Sequence, residues 1–229
     1  MRINDNVKSR CLKLKISHDR YEKEFQSLSA LGFTEKQINK LVLRRSSKNT
    51  VNTLISNFEA VSQLDRDVMT HDVITSIAAR DGGGKALNAL LKSFKALKAQ
   101  PYELTSRQII KIVSHDGGSK NIKAIKNSFA ELKNLNFSAE QIVKIVSHNG
   151  GSKNIETVKN SFKELKNLQF SSEQVVKMVG HHGGSQNIIA VKNNLQALKN
   201  LQFSAEQIVK IVSHGGGSKN IEAVKNCFD

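Results

Sequence analysis

One loop occurs four times at an interval of 33 residues, and this constrains the fold more than any other feature of the sequence. It reads His115-Asp116-Gly117-Gly118-Ser119, His148-Asn149-Gly150-Gly151-Ser152, His181-His182-Gly183-Gly184-Ser185 and His214-Gly215-Gly216-Gly217-Ser218. Lys120, Lys153, Gln186 or Lys219 follows each copy, and Asn-Ile follows that. A strict period of this length makes each unit one supersecondary element that buries its apolar face only against its neighbours. Within the five-residue loop, only the residue after the His changes: Asp116, Asn149, His182, Gly215. A variable position inside an otherwise fixed loop marks a reader, and the remaining residues mark its frame.

The unit from 137 to 169 serves as the type. Ser138 is an N-cap and Gln141, three residues on, completes a capping box, while Phe137 is placed to staple onto Ile142. Ile142, Val143, Ile145 and Val146 give a short helix with one apolar face. The Gly150-Gly151 pair breaks it, since glycine disfavours helix and permits positive φ. Ile155, Val158, Phe162, Leu165 and Leu168, spaced by three and four, predict a second, longer amphipathic helix. Each unit is therefore a helical hairpin, and the fold class is an all-α solenoid of two-helix repeats.

Regular units span 104–136, 137–169, 170–202 and 203–229, the last stopping within its second helix. That stop marks either a truncated final unit or a piece of a longer array. Two divergent units precede them, 33–68 and 69–103. Their loops read Arg44-Arg45-Ser46-Ser47-Lys48 and Arg80-Asp81-Gly82-Gly83-Gly84-Lys85, and Pro101, the only proline, marks the junction into the regular array. Residues 1–32 read as a degenerate N-terminal half-repeat that caps the array. Phe25, Leu28, Leu31 and Phe33 in this region copy the spacing of Phe129, Leu132, Leu135 and Phe137.

The formal net charge of +15 points to a polyanionic partner. Two cysteines, Cys11 and Cys227, lie far apart without metal spacing, which predicts a reducing, intracellular compartment and no disulfide framework. No apolar run approaches a membrane span and the polar N-terminus is not a signal peptide, so a soluble protein is expected. No nucleophile, acid–base pair or cofactor motif stands out, so neither an enzyme, a cofactor nor a small-molecule substrate is expected.

The loop chemistry favours DNA. Lys120, Lys153 and Lys219 fall in the first turn of the second helix, where the macrodipole prefers an anion. With Gly117-Gly118, Gly150-Gly151, Gly183-Gly184 and Gly216-Gly217 freeing backbone N–H groups, and Gln186 in the third unit, this arrangement predicts one phosphate contact per repeat. The unvarying His115, His148, His181 and His214 suit a brace that bonds a carbonyl of the first helix. Zinc is set aside because no Cys or acidic partner accompanies them. The changing residue suits base readout: Asp116 accepts from the cytosine amino group, Asn149 or His182 donates to a purine N7, and Gly215 leaves room for a thymine methyl.

On the motif Phe-Ser-Ala-Glu-Gln-Ile-Val-Lys-Ile-Val-Ser-His-Xaa-Gly-Gly-Ser-Lys-Asn-Ile, as at Phe137–Ile155, the chain resembles the transcription activator-like effector (TALE) repeats. The likeness is strongest to the diverged bacterial TALE-like proteins of endofungal symbionts and marine metagenomes. It covers Leu104–Asp229 strongly and 33–103 in degenerate form. The resemblance implies a right-handed superhelix around B-DNA, reading one strand at one base per repeat. In that scheme His115, His148, His181 and His214 steady the loop, and Asp116, Asn149, His182 and Gly215 read. Asp81 is a further candidate reader one unit earlier. Plant-pathogen members carry a Trp in a divergent N-terminal unit, and this chain has no Trp. It has Arg44 and Arg45 in that loop instead, which with Lys48, Arg80 and Lys85 are expected to make non-specific DNA contacts. Where those members usually have a Pro in the second helix, this chain has Ala130, Lys163 and Gln196, and no activation domain or nuclear-localisation cluster is visible.

The expected partner is therefore double-stranded DNA, bound by a monomer with no membrane contact, in the bacterial cytoplasm or, for a delivered effector, a host nucleus. Two alternatives remain open. A protein-binding solenoid would vary residues along a concave helical face. An RNA-binding helical repeat would carry stacking aromatics that this loop lacks.

Overall fold

The computed structural model describes residues 5–44, 47–115, 117–148, 150–181 and 183–227. Among them every regular element is an α-helix. The chain opens with α1 (Asp5–Leu14) and α2 (His18–Ala30). Short and long helices then alternate: α3 (Glu35–Val42) with α4 (Ser47–Ser62), α5 (His71–Ala78) with α6 (Gly83–Lys98), and α7 (Ser106–Val113) with α8 (Gly118–Asn134). The same order continues through α9 (Ala139–Val146) and α10 (Ser152–Asn167), α11 (Ser172–Val179) and α12 (Ser185–Asn200), and α13 (Ala205–Ser213) and α14 (Ser218–Asn226). No helix among the described residues is long and apolar enough to cross a membrane.

Two compact units make up the chain. One is Met1–Ala96 with Thr105–Ser119, the other Leu97–Leu104 with Lys120–Asp229. In the first, α2 packs on α3, α3 on α4 and α5, and α5 on α4 and α7. In the second, the helices from α9 to α14 meet their hairpin partners and also the helix of their own kind in the next hairpin. Short helices α9, α11 and α13 stack in one row, and long helices α10, α12 and α14 in another. This is the consecutive packing of a helical-repeat solenoid.

Local sequence explains the punctuation. Five short helices start on a complete capping box: Thr34 with Gln37, Thr105 with Gln108, Ser138 with Gln141, Ser171 with Gln174 and Ser204 with Gln207. In α9 the Gln141 N–H donates to Ser138 Oγ at 3.1 Å, and the Ser138 N–H donates to Gln141 Oε1 at 2.8 Å. The α5 cap, Thr70, is followed by Val73 at the third position, so only half of the box forms.

The long helices α8, α10 and α12 end on Schellman turns. After α10 the Gln169 N–H reaches Lys166 O at 2.9 Å and the Phe170 N–H reaches Leu165 O at 3.0 Å. Asn136 with Phe137 and Gln202 with Phe203 repeat the pattern. The turn requires a left-handed residue, and Asn136, Gln169 and Gln202 adopt φ of 65°, 66° and 60°. The matching position after α2 is Gly32, which takes φ 87° without a Cβ. The aromatic that follows drops into the core: Phe33, Phe137 and Phe170 are buried. Phe137 meets Phe162 with ring centroids 4.5 Å apart, and Phe33 sits between Phe58 and His71.

Buried aliphatics carry most of the stabilisation. Ile142, Ile145, Val146, Val158 and Leu165 are fully enclosed in the type hairpin, and each buried aliphatic side chain is worth about 1.5–3 kcal/mol. Ion pairs between successive long helices add less. Lys159 meets Glu131 at 3.0 Å and Lys192 meets Glu164 at 2.6 Å, partly exposed on both sides. In the first unit the Tyr21 hydroxyl donates to Asn39 Oδ1 at 2.6 Å. Its pKa is pushed up to about 12, first by burial and then by the Glu35 and Cys11 charges.

The left-handed glutamine makes a direct test of this punctuation. Gln169→Gly removes the Cβ penalty at φ 66° at the cost of a more flexible unfolded chain. A net gain of about 0.5–1 kcal/mol is expected in urea unfolding. A loss of stability would mean that the Gln169 side chain makes a contact outweighing its backbone strain.

Candidate nucleic-acid interface

The recurring loop joins each short helix to the long one, and its geometry is set by an asparagine. Asn154 and Asn187 are completely buried and Asn121 nearly so, although each lies at the polar start of a long helix. Asn154 Nδ2 donates to Ile145 O at 3.1 Å, Asn187 Nδ2 to Met178 O at 2.9 Å and Asn220 Nδ2 to Ile211 O at 2.8 Å. Each amide therefore ties the start of the long helix to the end of its own short helix. In the last loop the Asn220 amide also donates to Gly215 O at 3.2 Å.

This buried amide explains the glycine pair. A Cβ on Gly150 would stand 2.5 Å from Asn154 Oδ1, and one on Gly183 or Gly216 would run into the matching oxygen of Asn187 or Asn220. The second glycine of the pair has φ 45° and ψ −116° at Gly151, φ 50° and ψ −121° at Gly184, and φ 51° and ψ −120° at Gly217. A side chain at Gly151 would also meet the amide oxygen of Asn121, one hairpin earlier. The loops at 80–84 and 115–119 have a different form. Gly82 and Gly117 take φ of 74° and 78°, while Gly83 and Gly118 are already helical. There the second glycine is pressed on the last carbonyls of the short helix, Ala78 O and Val113 O.

The histidines lie at the loop entrance. His115 Nδ1 is 2.8 Å from Lys111 O, and His148 Nδ1 bonds Lys144 O, a carbonyl of the preceding short helix in each case. His181 and His214 are exposed. Of the residues expected to read bases, Gly215 and Asp81 lie within the described residues. Asp116, Asn149 and His182 lie outside them, as does Arg45. Gly215 is exposed, and a Cβ built on it meets nothing within 4 Å.

The backbone N–H groups of the loop are turned inward. Gly151 N–H donates to His148 O, Lys153 N–H to Gly150 O and Asn154 N–H to Gly151 O, and the same bonds recur at 184–187 and 217–220. An anion approaching this turn meets the exposed side chains of Lys120, Lys153, Gln186 and Lys219 first. No long helix from α4 onward has an acidic residue in its first turn, whereas α3, α5, α9, α11 and α13 all have one. The positive helix ends at the loops are thus left without a carboxylate on their own first turns. Lys120, Lys123 and Lys159 also line an open groove of about 360 Å³ between α8 and α10, with Glu156 on its wall.

In the first unit, Lys48, Arg80 and Lys85 are exposed, but Arg44 is half-buried and points to the next loop. Its guanidinium donates to Ala78 O at 3.0 Å, Arg80 O at 2.7 Å and Asp81 Oδ1 at 3.1 Å. A groove beside it is lined by Arg10, Lys36 and Lys40, cations that sequence reasoning missed. The signal was available: α3 carries Lys36 where α9 and α13 carry Glu140 and Glu206, which pair with Lys144 at 2.9 Å and Lys210 at 3.0 Å. No protein-family model matches the chain, and no curated protein matches it.

Within one loop, two adjacent glycines are expected to respond in opposite ways. Gly215→Ala fills open space and should leave the amide protection of α14 unchanged, within about 0.5 kcal/mol. Gly216→Ala adds a Cβ at φ 110° against Asn220 and should lower that protection by about 1–3 kcal/mol in hydrogen exchange. Equal effects at the two positions would show that the asparagine does not dictate the glycine.

Proposed function

We propose that this chain is a sequence-preferring double-stranded DNA-binding protein. The 33-residue units form a right-handed superhelix that follows the major groove, with one base read per unit by the residue after the loop His. One observation carries the reading. The reader position at Gly215 is exposed with open space around its Cβ, while the next residue, Gly216, is closed to any side chain by Asn220. In this loop the position that varies from unit to unit is the one where the frame leaves room for a side chain. A protein-binding solenoid has no need to confine its variation to a single residue per loop.

Affinity is assigned to Lys120, Lys153, Gln186 and Lys219 beside the uncompensated starts of the long helices. Lys48, Arg80 and Lys85 in the divergent units, together with the groove of Arg10, Lys36 and Lys40, add non-specific contacts. His115, His148, His181 and His214 steady the loops. Asp116, Asn149, His182 and Gly215 then specify 5′-C-R-G-T-3′, with a further C ahead of it opposite Asp81, whose carboxylate also accepts from Arg44.

Binding to duplex DNA, duplex RNA and single strands at two salt concentrations tests the partner. Duplex DNA should bind tightest, with log affinity falling against log salt by about 0.9 per phosphate contact. Lys153→Ala should weaken all sequences alike and flatten that slope by roughly one. A loss confined to one sequence would refute the phosphate role. Asn149→Asp should move the selected base at a single pair from purine to cytosine, a change worth about 1–3 kcal/mol. If the preference stays put, or moves at another pair, the one-residue, one-base assignment fails.

A further inference from the structure

The long helices α10, α12 and α14 begin on glycines, which supply no side-chain cap. For α12 the cap comes from the preceding hairpin: the Ser185 N–H donates to Asn154 Oδ1 at 2.8 Å, a buried bond across 31 residues. The same asparagine holds its own loop by donating Nδ2 to Ile145 O. Asn154 thus has one end of its amide on each of two consecutive loops, and it is completely buried, so water does not compete for either end.

The arrangement recurs with different chemistry in the first unit. Thr50, near the start of α4, accepts from the Gly84 N–H near the start of α6 at 3.3 Å. Arg44 adds a second tie between the same two hairpins through Ala78 O, Arg80 O and Asp81. In both units a polar side chain near one long helix start is fastened to the next. Asn121 occupies the corresponding place beneath Gly151.

From this geometry we infer that Asn154 is a positioning residue that couples neighbouring readers. Its amide nitrogen sets the height of the loop in its own unit, and its amide oxygen sets the start of α12 and with it the loop of the following unit. The base preference at one position is then a joint property of two units. The inference rests on the DNA-reading function proposed above. It goes beyond that function, which treats each reader as independent.

The consequence is directional. Removing the Asn154 amide frees the loop that carries Asn149 and the loop that carries His182, and leaves those of Asp116 and Gly215 on their own asparagines or helix ends. A general loss of stability would instead weaken every position together. Because a buried N–H is left without its acceptor, some loss of stability is expected as well, so the readout has to be the pattern of preference and not affinity.

The test is selection of bound sites from random duplex by the full chain and by Asn154→Ala, with thermal unfolding of both. Discrimination at the pairs assigned to Asn149 and His182 should each fall about tenfold, the size of one good base contact, while those assigned to Asp116 and Gly215 stay within twofold. Relaxation at the Asn149 pair alone, equal relaxation at all four, or none, would overturn the coupling. Should Asn154→Ala fail to fold, Asn154→Asp makes the same separation, since it keeps the acceptor for Ser185 and loses the donor to Ile145. Preference should then persist at the His182 pair and relax at the Asn149 pair, and the reverse pattern or an equal loss at both overturns the inference. A wild-type chain that selects no sequence overturns the DNA reading and the coupling with it. A wild-type chain that selects, with a variant that misses the pattern, overturns the coupling alone.

Discussion

A buried asparagine amide beneath a pair of glycines is the contact on which the regular hairpins depend. Burying a primary amide is unfavourable unless its donors and acceptor are matched, and a buried group left unmatched costs about 1–3 kcal/mol. Asn154 meets that demand with a short-helix carbonyl on one side and the next long-helix start on the other. To do so it has to lie directly under the loop, and the backbone there is left no room for a Cβ. The Gly-Gly pair follows from the asparagine as much as from the turn. The two meet in this way at 148–154, 181–187 and 214–220, whereas at 115–119 the second glycine packs on Val113 O.

That lock also decides where a loop can vary. The His before the reader is used on the backbone at His115 and His148, and the two residues after it are fixed as glycine. In the last loop Gly215, between them, has open space around it. Charge has a similar division. The Glu140–Lys144 and Glu206–Lys210 pairs neutralise the short helices α9 and α13, and the Lys159–Glu131 and Lys192–Glu164 pairs tie the long ones together. The cations of the loops, Lys120, Lys153 and Lys219, stand at helix starts that have no acid of their own. Part of the net charge of +15 therefore stands at the starts of the long helices, next to the loops.

The hairpins were legible because their signals are local. Ser138 with Gln141, the apolar spacing of Ile155, Val158, Phe162 and Leu165, and the Gly pair each act within a few residues, and each lies where the sequence places it. The asparagine was not legible as a core residue, since Asn after Lys at the start of an amphipathic helix reads as surface. Its partners, Ile145 and Ser185, lie 9 and 31 residues away. The one available clue was that Asn121, Asn154, Asn187 and Asn220 never change, while the residue before them is Lys in three units and Gln in one. The left-handed Gln169 was hidden for a related reason: helix C-termini favour glycine there, and this chain supplies it only at Gly32. Arg44 is expected from its loop position to contact DNA, and its guanidinium also donates to Ala78 O, Arg80 O and Asp81 Oδ1, partners that lie in the next hairpin.

On the DNA-reading function proposed above, the chain faces two opposed requirements. Its readers have to be exchangeable, which asks that the frame be blind to the residue at 116, 149, 182 or 215. Its loops also have to keep a regular spacing, which asks that each be fixed to the next. The open space at Gly215 answers the first requirement, and the bond from Ser185 to Asn154 answers the second. These solutions share one residue, since the asparagine that closes the glycines is also the one that reaches into the next hairpin. Exchangeability and spacing are therefore not independent here. A side chain at Gly215 would meet nothing of the frame, whereas Asn154 holds two hairpins at once. The same logic accounts for Thr50 and Arg44 in the divergent hairpins, where the glycine–asparagine lock is replaced but a tie from loop to loop is kept. What persists across the regular and the divergent hairpins is that tie, more than any one residue that makes it.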